Sequence, residues 1–226
     1  MKNITKLQGR LQEVFSELNV CSCSITQELT VDVLPCELHA FMKQIRDTQG
    51  LKFDTLIDIC GVDYLCFGKS DWETNLASST GFSRAAEIGG FADLAWDKPR
   101  FAVVYHLLST QENHRMRVKV YLEETHPVIA SVHDIWHVAN WFEREAYDFF
   151  GILFTDHPDL RRILTDYGFI GHPLRKDFPV SGHVEVRYDA TVGRVIYEPV
   201  DIVPRVTVPK IIRHDNRYKT HTAEKS

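Results

Sequence analysis

The sequence predicts an α+β fold: a mixed or antiparallel sheet covered by helices, followed by a long helix and an extended C-terminal tail that wraps a partner. Three observations carry this. Ile4, Leu7, Leu11, Val14, Phe15 and Leu18 recur at steps of three and four, the period of an amphipathic helix. Met116, Val118, Val120 and Leu122 alternate with Arg115, Arg117, Lys119 and Tyr121, the period of a strand. From Asp156 onward no helical period survives, and Pro158, Pro173, Pro179, Pro199, Pro204 and Pro209 punctuate extended pieces such as VEVRY and RVIYEPV.

Along the chain, the first helix is expected over 3–19. Residues 20–26 and 29–34 alternate small or apolar with polar, as a pair of strands would, placing Cys21, Cys23 and Ile25 on one face. Pro35 suits the first turn of a second helix carrying Leu38, Phe41, Met42 and Ile45 and ended near Gly50. Phe53 to Leu65 reads as a buried strand interrupted by Asp58 and Asp63. The interval 68–99, rich in Ser, Gly, Ala and Asp, reads as an insertion at the sheet margin. Strands follow over 101–108 and 115–122, joined by a polar turn around Asn113, and one face of the second is wet or meets a partner. Ser131 and Asp134 resemble a capping box opening a third helix, along which Ile135, Ala139, Phe142, Ala146 and Phe149 line one side until Gly151. Three segments result: an α+β domain over 1–125, a connecting helix over 126–155, and a tail over 156–226. The tail has apolar side chains but few ways to pack them on itself, as expected of a segment ordered against another protein.

With 226 residues, 44% hydrophobic and 25% charged, the chain suffices for one buried core with an extension. A net charge of -5 and a pI near 6.1 argue against nucleic acid as a partner. No apolar run is long enough for a bilayer, since even FAVVY at 101–105 is cut off by His106, so membrane association is expected to run through a partner. The first residues have helical spacing rather than the apolar block of a secretion signal, which points to the cytosol. The five cysteines include no C-x-x-C pair, so neither a disulfide framework nor a thiolate cluster is suggested.

Gly68-Lys69-Ser70 imitates the end of a phosphate-binding loop, but Asp63 stands where its first glycine belongs. No G-x-G occurs, so the dinucleotide fingerprint is absent too. His133 and His137 are four apart, a spacing that lets two imidazoles share a metal, yet the H-E-x-x-H acid is replaced by Asp134. Glu143 and Glu145 lie on different sides of a helix and cannot converge on one bond, whereas Arg144 and Asp148 are spaced for a salt bridge. Arg161, Arg162, Arg175 and Lys176 could hold a phosphate, but Asp156, Asp159, Asp166 and Asp177 are interleaved with them. Arginine forks and carboxylates beside Phe149, Phe150, Phe154, Tyr167, Phe169 and Phe178 are the mixture that protein interfaces favour, although the same residues could fold the chain's own end.

The stretch of Glu143, Arg144, Glu145, Asp148, Phe149, Phe150, His157, Arg161, Ile163 and Leu164 resembles the signature of the C-type (30 kDa) subunit of respiratory complex I, the proton-pumping NADH:quinone oxidoreductase. The similarity continues through GHPLRKDFP at 171–179, the VEVRYD and YEPV elements and the lead-in DIWHVANWFERE. It departs at His137, where members often carry Pro. The resemblance implies a peripheral-arm subunit without a redox centre, attached to the D-type subunit near the quinone site, with FMN and iron–sulfur clusters on partner subunits. It also implies the cytoplasmic side of the cell inner membrane as location. The partner interface is then expected at Glu143, Arg144, Glu145, Asp148, His157, Arg161, Arg162, His172, Arg175, Lys176 and Asp177, with no catalytic, cofactor or metal residue on this chain. The alternatives are the equivalent subunit of a membrane-bound hydrogenase-type complex and a free-standing metal enzyme using His133 and His137.

Overall fold

The computed structural model describes residues 2–15, 19–23, 28–65, 67, 73–74, 96–202 and 212–213. They fall into two compact units, 1–64 with 98–178 and 65–97 with 179–226. In chain order the elements are α1 (Lys2–Val14), β1 (Asn19–Cys23), β2 (Glu28–Asp32), α2 (Leu38–Asp47), β3 (Thr55–Asp63), β4 (Glu73–Thr74) and β5 (Phe101–Ser109). β6 (His114–Leu122), β7 (Val128–Ala130), α3 (Ala139–Phe150), β8 (Leu153–Thr155), β9 (Val184–Asp189), β10 (Arg194–Pro199) and β11 (Ile212–Arg213) follow.

The first unit is built on a five-stranded mixed sheet in the order β1-β2-β6-β5-β3, so the α+β expectation holds. β6 buries Met116, Val118, Val120 and Leu122 as its alternation requires. β5 lies between β6 and β3, and its Phe101-Ala102-Val103-Val104-Tyr105 run is buried throughout because both faces are covered there. The β5–β6 hairpin turns at Asn113, whose φ of 52° is the left-handed conformation asparagine tolerates. β2 runs parallel to β6, with Val31 opposite Val118. Local sequence carries no signal for that pairing.

α2 presents Leu38, Phe41, Met42 and Ile45 to the core and stops at an extended Thr48. Beyond it Gly50, at φ 84°, accepts a hydrogen bond from the Arg10 guanidinium at 2.7 Å, tying the chain after α2 to α1. Along β2 and β6 the second face of the sheet is polar, with ion pairs Arg117–Glu28 and Lys98–Asp32, each at 2.7 Å.

α3 begins later than the sequence suggests. Residues 132–138 form turns, and no side chain caps the helix at Val138. The expected capping box is absent because its members are spent elsewhere: Ser131 donates to Glu143, and Asp134 pairs with His39 on α2 at 2.9 Å. The far end matches expectation, with Gly151 capping at φ 71°. The short parallel strands β7 and β8 flank α3 in sequence and join the chain that enters it to the chain that leaves it. They escape sequence reading because three residues show no period.

In the second unit β9 and β10 pair antiparallel, closed by Asp189, whose carboxylate accepts the Thr191 N–H at 2.8 Å, and by Gly193 at φ 67°. β4 and β11 form a short parallel pair in the same unit. Most of the expected 68–99 insertion, and the side chains of Cys21 and Cys23, lie outside the described residues. Among the described residues no helix is long and apolar enough to cross a membrane.

Candidate functional site

α3 is the platform for the signature residues. Its helical period puts Glu143, Ala146 and Ala139 into the core, packed on the sheet beside β3, where Gly61 leaves room for the Phe150 ring. Glu143 is fully buried; Oε1 accepts the Val132 N–H at 2.8 Å and Oε2 the Ser131 hydroxyl at 2.6 Å. Burial pushes its carboxyl up to about 7 despite those bonds, with Asp134 adding to the rise. Arg144 lies over the Trp141 ring and donates to the Arg161 carbonyl at 3.2 Å. The expected Arg144–Asp148 bridge is not made, because each side chain is claimed by the chain that returns after β8.

Asp148 organises that return. One carboxylate oxygen accepts the N–H groups of Ile163, Leu164 and Thr165 at 3.1, 2.8 and 3.0 Å, while the other accepts the Thr165 hydroxyl and Arg162. Burial opposes the charge, but the donors from Thr165, Leu164 and Ile163 outweigh it and hold the carboxyl down at about 2. Arg162 extends the clamp to the Gly171 carbonyl at 2.9 Å.

A second anchor sits at the end of β3. Asp63 accepts a two-pronged bond from Arg100 and the backbone N–H of Lys176 at 2.8 Å, and Arg100 also meets Asp177 at 3.0 Å and Glu124 at 3.0 Å. Between the two anchors, His172 donates Nδ1–H to the Asp148 carbonyl at 2.9 Å, and Arg175 donates to the Phe150 carbonyl at 2.6 Å. Both close over Gly151: a Cβ there would stand 2.5 Å from His172 Nε2 and 2.5 Å from Arg175. Burial lowers both groups' affinity for their protons. Arg175 lies over Phe101 and forms no carboxylate bridge among the described residues.

The sequence-derived site residues therefore converge on one ledge of the first unit. Glu143, Arg144, Asp148 and the His157 side chain are turned inward, and Glu145 is half-buried on α3. Arg162, His172 and Arg175 are half-buried clamps, and Lys176 and Asp177 are exposed. Arg161 is exposed too, but pairs with Asp159 of its own chain at 2.8 Å. Asp63, Arg100, Ser131 and Thr165 belong to the same network, although the sequence does not mark them as site residues. Asp63 leaves a trace as an acid inside an apolar strand; Thr165 leaves none. His133 and His137 stand with ring centroids 5.3 Å apart, and among the described residues no group of three or more metal-ligating side chains is placed to hold an ion. Burial pushes the Cys60 thiol up to about 12, an unreactive state.

Comparison with known proteins agrees with this picture. A family model described as "Respiratory-chain NADH dehydrogenase, 30 Kd subunit" matches residues 31–184, which include the end of β2, all of β3, β5 and β6, and the whole ledge. The chain is 58% identical over 218 residues to the C-type subunit of the NADH-quinone oxidoreductase of Legionella pneumophila (strain Paris), with 95% of this chain and 93% of the relative covered. It is 54% identical over 219 residues to the corresponding subunit from Hydrogenovibrio crunogenus, with 95% and 97% covered. A solved chain of the membrane-bound sulfane sulfur reductase, an archaeal respiratory membrane complex, shares the fold with a TM-score of 0.54 at 19% identity, over 77% of this chain and 85% of that one. With the family model spanning more than half of the sequence and close relatives matching nearly all of it, the chain belongs to the 30 Kd (C-type) subunit family of the respiratory-chain NADH dehydrogenase, complex I.

Proposed function

We propose that the chain is a non-redox scaffold in the peripheral arm of a proton-translocating NADH:quinone oxidoreductase. It grips the D-type subunit beside the quinone site and iron–sulfur relay while electrons pass from NADH to ubiquinone. FMN and the clusters reside on partner subunits, and the chain reaches the cytoplasmic side of the cell inner membrane through them. The 156–226 segment is the gripping element.

The observation that carries this reading is the contrast between a pinned backbone and displayed side chains. Asp148 and Arg162 fix the backbone from Ile163 to Gly171, yet Ile170 is 75% exposed and Leu164 59%. A loop held this firmly is preorganised, so docking costs little ordering entropy, and its apolar groups gain burial only when a partner covers them. In the second unit the two-stranded β9–β10 hairpin likewise exposes Val186, Tyr188, Val195 and Tyr197, more apolar surface than an isolated ribbon can cover by itself.

Co-expression with the D-type subunit tests the proposal. The full chain is expected to co-purify with it, whereas Ile170→Asp and removal of residues 183–226 each lower the recovered partner at least tenfold while the first unit stays folded. Recovery at full yield with both changes would refute the scaffold reading.

A further inference from the structure

Glu143 is buried without a compensating charge. Its neighbour His157 has Nε2 only 3.8 Å from Oε2, and neither side chain is exposed. That contact is not an ion pair, because the hydrogen bonds of the ring fix it as neutral. Nε2 meets the Asn140 carbonyl at 3.3 Å, which can only accept, so Nε2 carries the hydrogen. Nδ1 meets the Asp159 N–H at 3.1 Å, which can only donate, so Nδ1 carries the lone pair. A proton on Nδ1 would set two N–H groups against each other.

Among the described residues no other element supplies the missing charge. On α3 itself, Arg144 turns to Trp141 and the Arg161 carbonyl. From the 131–138 turns come Asp134, which is repulsive, and the imidazoles of His133 and His137. His133 stands 6.1 Å from His157, ring to ring, and opposes its protonation. β5 contributes Tyr105, whose buried hydroxyl has no hydrogen-bond partner among the described residues and stays protonated. The 155–161 segment adds Asp159, a further negative charge. What Glu143 does possess is Ser131, whose hydroxyl can donate or accept and which already accepts the His133 N–H at 3.2 Å.

We propose that Glu143 is a proton-binding site of this chain, taking up one proton on Oε2 and reversing its hydrogen bond with Ser131. In the empty state the Ser131 O–H donates to the carboxylate; in the filled state the Oε2–H donates to Ser131 Oγ, and the serine hydrogen turns away. One proton is gained from solvent, and no other bond is made or broken. With Ser131 donating, His157 stays neutral and keeps the Asp159 N–H at 3.1 Å, so the exchange is confined to the Glu143 carboxyl and the serine hydroxyl.

The test is a carboxyl-carbon NMR titration of the full chain labelled at glutamate. One resonance is expected to titrate about two pH units above the others, to vanish in Glu143→Gln, and to move higher in Ser131→Ala, which removes a donor to the charged form. The imidazole nitrogens of His157 are expected to keep the Nε2–H neutral pattern while Glu143 titrates. Titration of every glutamate in the ordinary carboxylate range overturns the proposal in the unmodified chain alone, so nothing depends on the variants folding. A high-titrating resonance that survives Glu143→Gln, or is indifferent to Ser131→Ala, overturns it equally. Loss of partner binding in Ile170→Asp with this titration intact separates the two proposals.

Discussion

Thr165 is bonded to Asp148 twice, through its backbone N–H and through its hydroxyl, across a buried carboxylate that also holds the N–H groups before it. One α3 side chain thus does for the returning loop what a helix cap does for a helix: it satisfies consecutive backbone donors and fixes their direction.

Asp148→Asn keeps the shape of this clamp but replaces an acceptor with an N–H₂ that faces other donors. A loss of about 2–3 kcal/mol of stability is expected from unsatisfied buried groups. Denaturant unfolding measures it, and limited proteolysis should cut first between 162 and 171. An unchanged midpoint would show that the clamp contributes nothing.

The two buried acids of α3 give opposite pH dependences. Glu143 has a folded pKa raised to about 7, so its contribution is fully present below its unfolded value of 4.5 and is lost as pH rises toward 7. Over that window it lowers stability by up to about 1.4 kcal/mol per pH unit, a slope Glu143→Gln should abolish. Asp148, depressed to about 2, contributes above its unfolded value of 3.8 and loses that contribution as pH falls toward 2. Unfolding curves from pH 3 to 8 for wild type and both variants separate the two effects.

Gly151→Ala combines a positive φ with a Cβ driven into His172 and Arg175. The backbone alone costs about 1–2 kcal/mol. The side-chain displacement should also release the His172 Nδ1–H from the Asp148 carbonyl, visible as a changed imidazole nitrogen shift. A neutral substitution would show that the ledge does not depend on close approach over the cap.

Arg100→Ala leaves the Asp63 carboxylate, whose side chain is fully buried, without its guanidinium. Breaking a buried pair from one side costs about 3 kcal/mol or more. Arg100→Lys should recover only part of this, since an ammonium cannot span both carboxylate oxygens. Melting temperatures of the two variants test the order.

Much of this architecture is readable from residue order. The burial of Leu38, Phe41, Met42 and Ile45 on α2, the alternation of β6, the turn at Asn113 and the stop at Gly151 are all local consequences of side-chain period and backbone freedom. The start of α3 is not readable in this way, because Ser131 and Asp134 fit a local cap equally well, and only distant competitors, Glu143 and His39, decide where their oxygens go. The Arg144–Asp148 spacing misleads for the same reason: helical geometry permits the pair, but the loop after β8 offers each a better-buried partner.

The linear order of residues by itself determined the helices apart from the start of α3, most strands of the main sheet, the polar outer face of β6 and the dense signature that marks the family. Tertiary structure decided the parallel joining of β2 to β6, the β7–β8 pairing, and the inward turn of Glu143 and Asp148. Periodicity is a property of neighbours in the chain, so sequence displays it directly. Which donor meets a buried carboxylate depends on segments brought together across the fold, where desolvation makes an unmatched charge costly and selects the matched one.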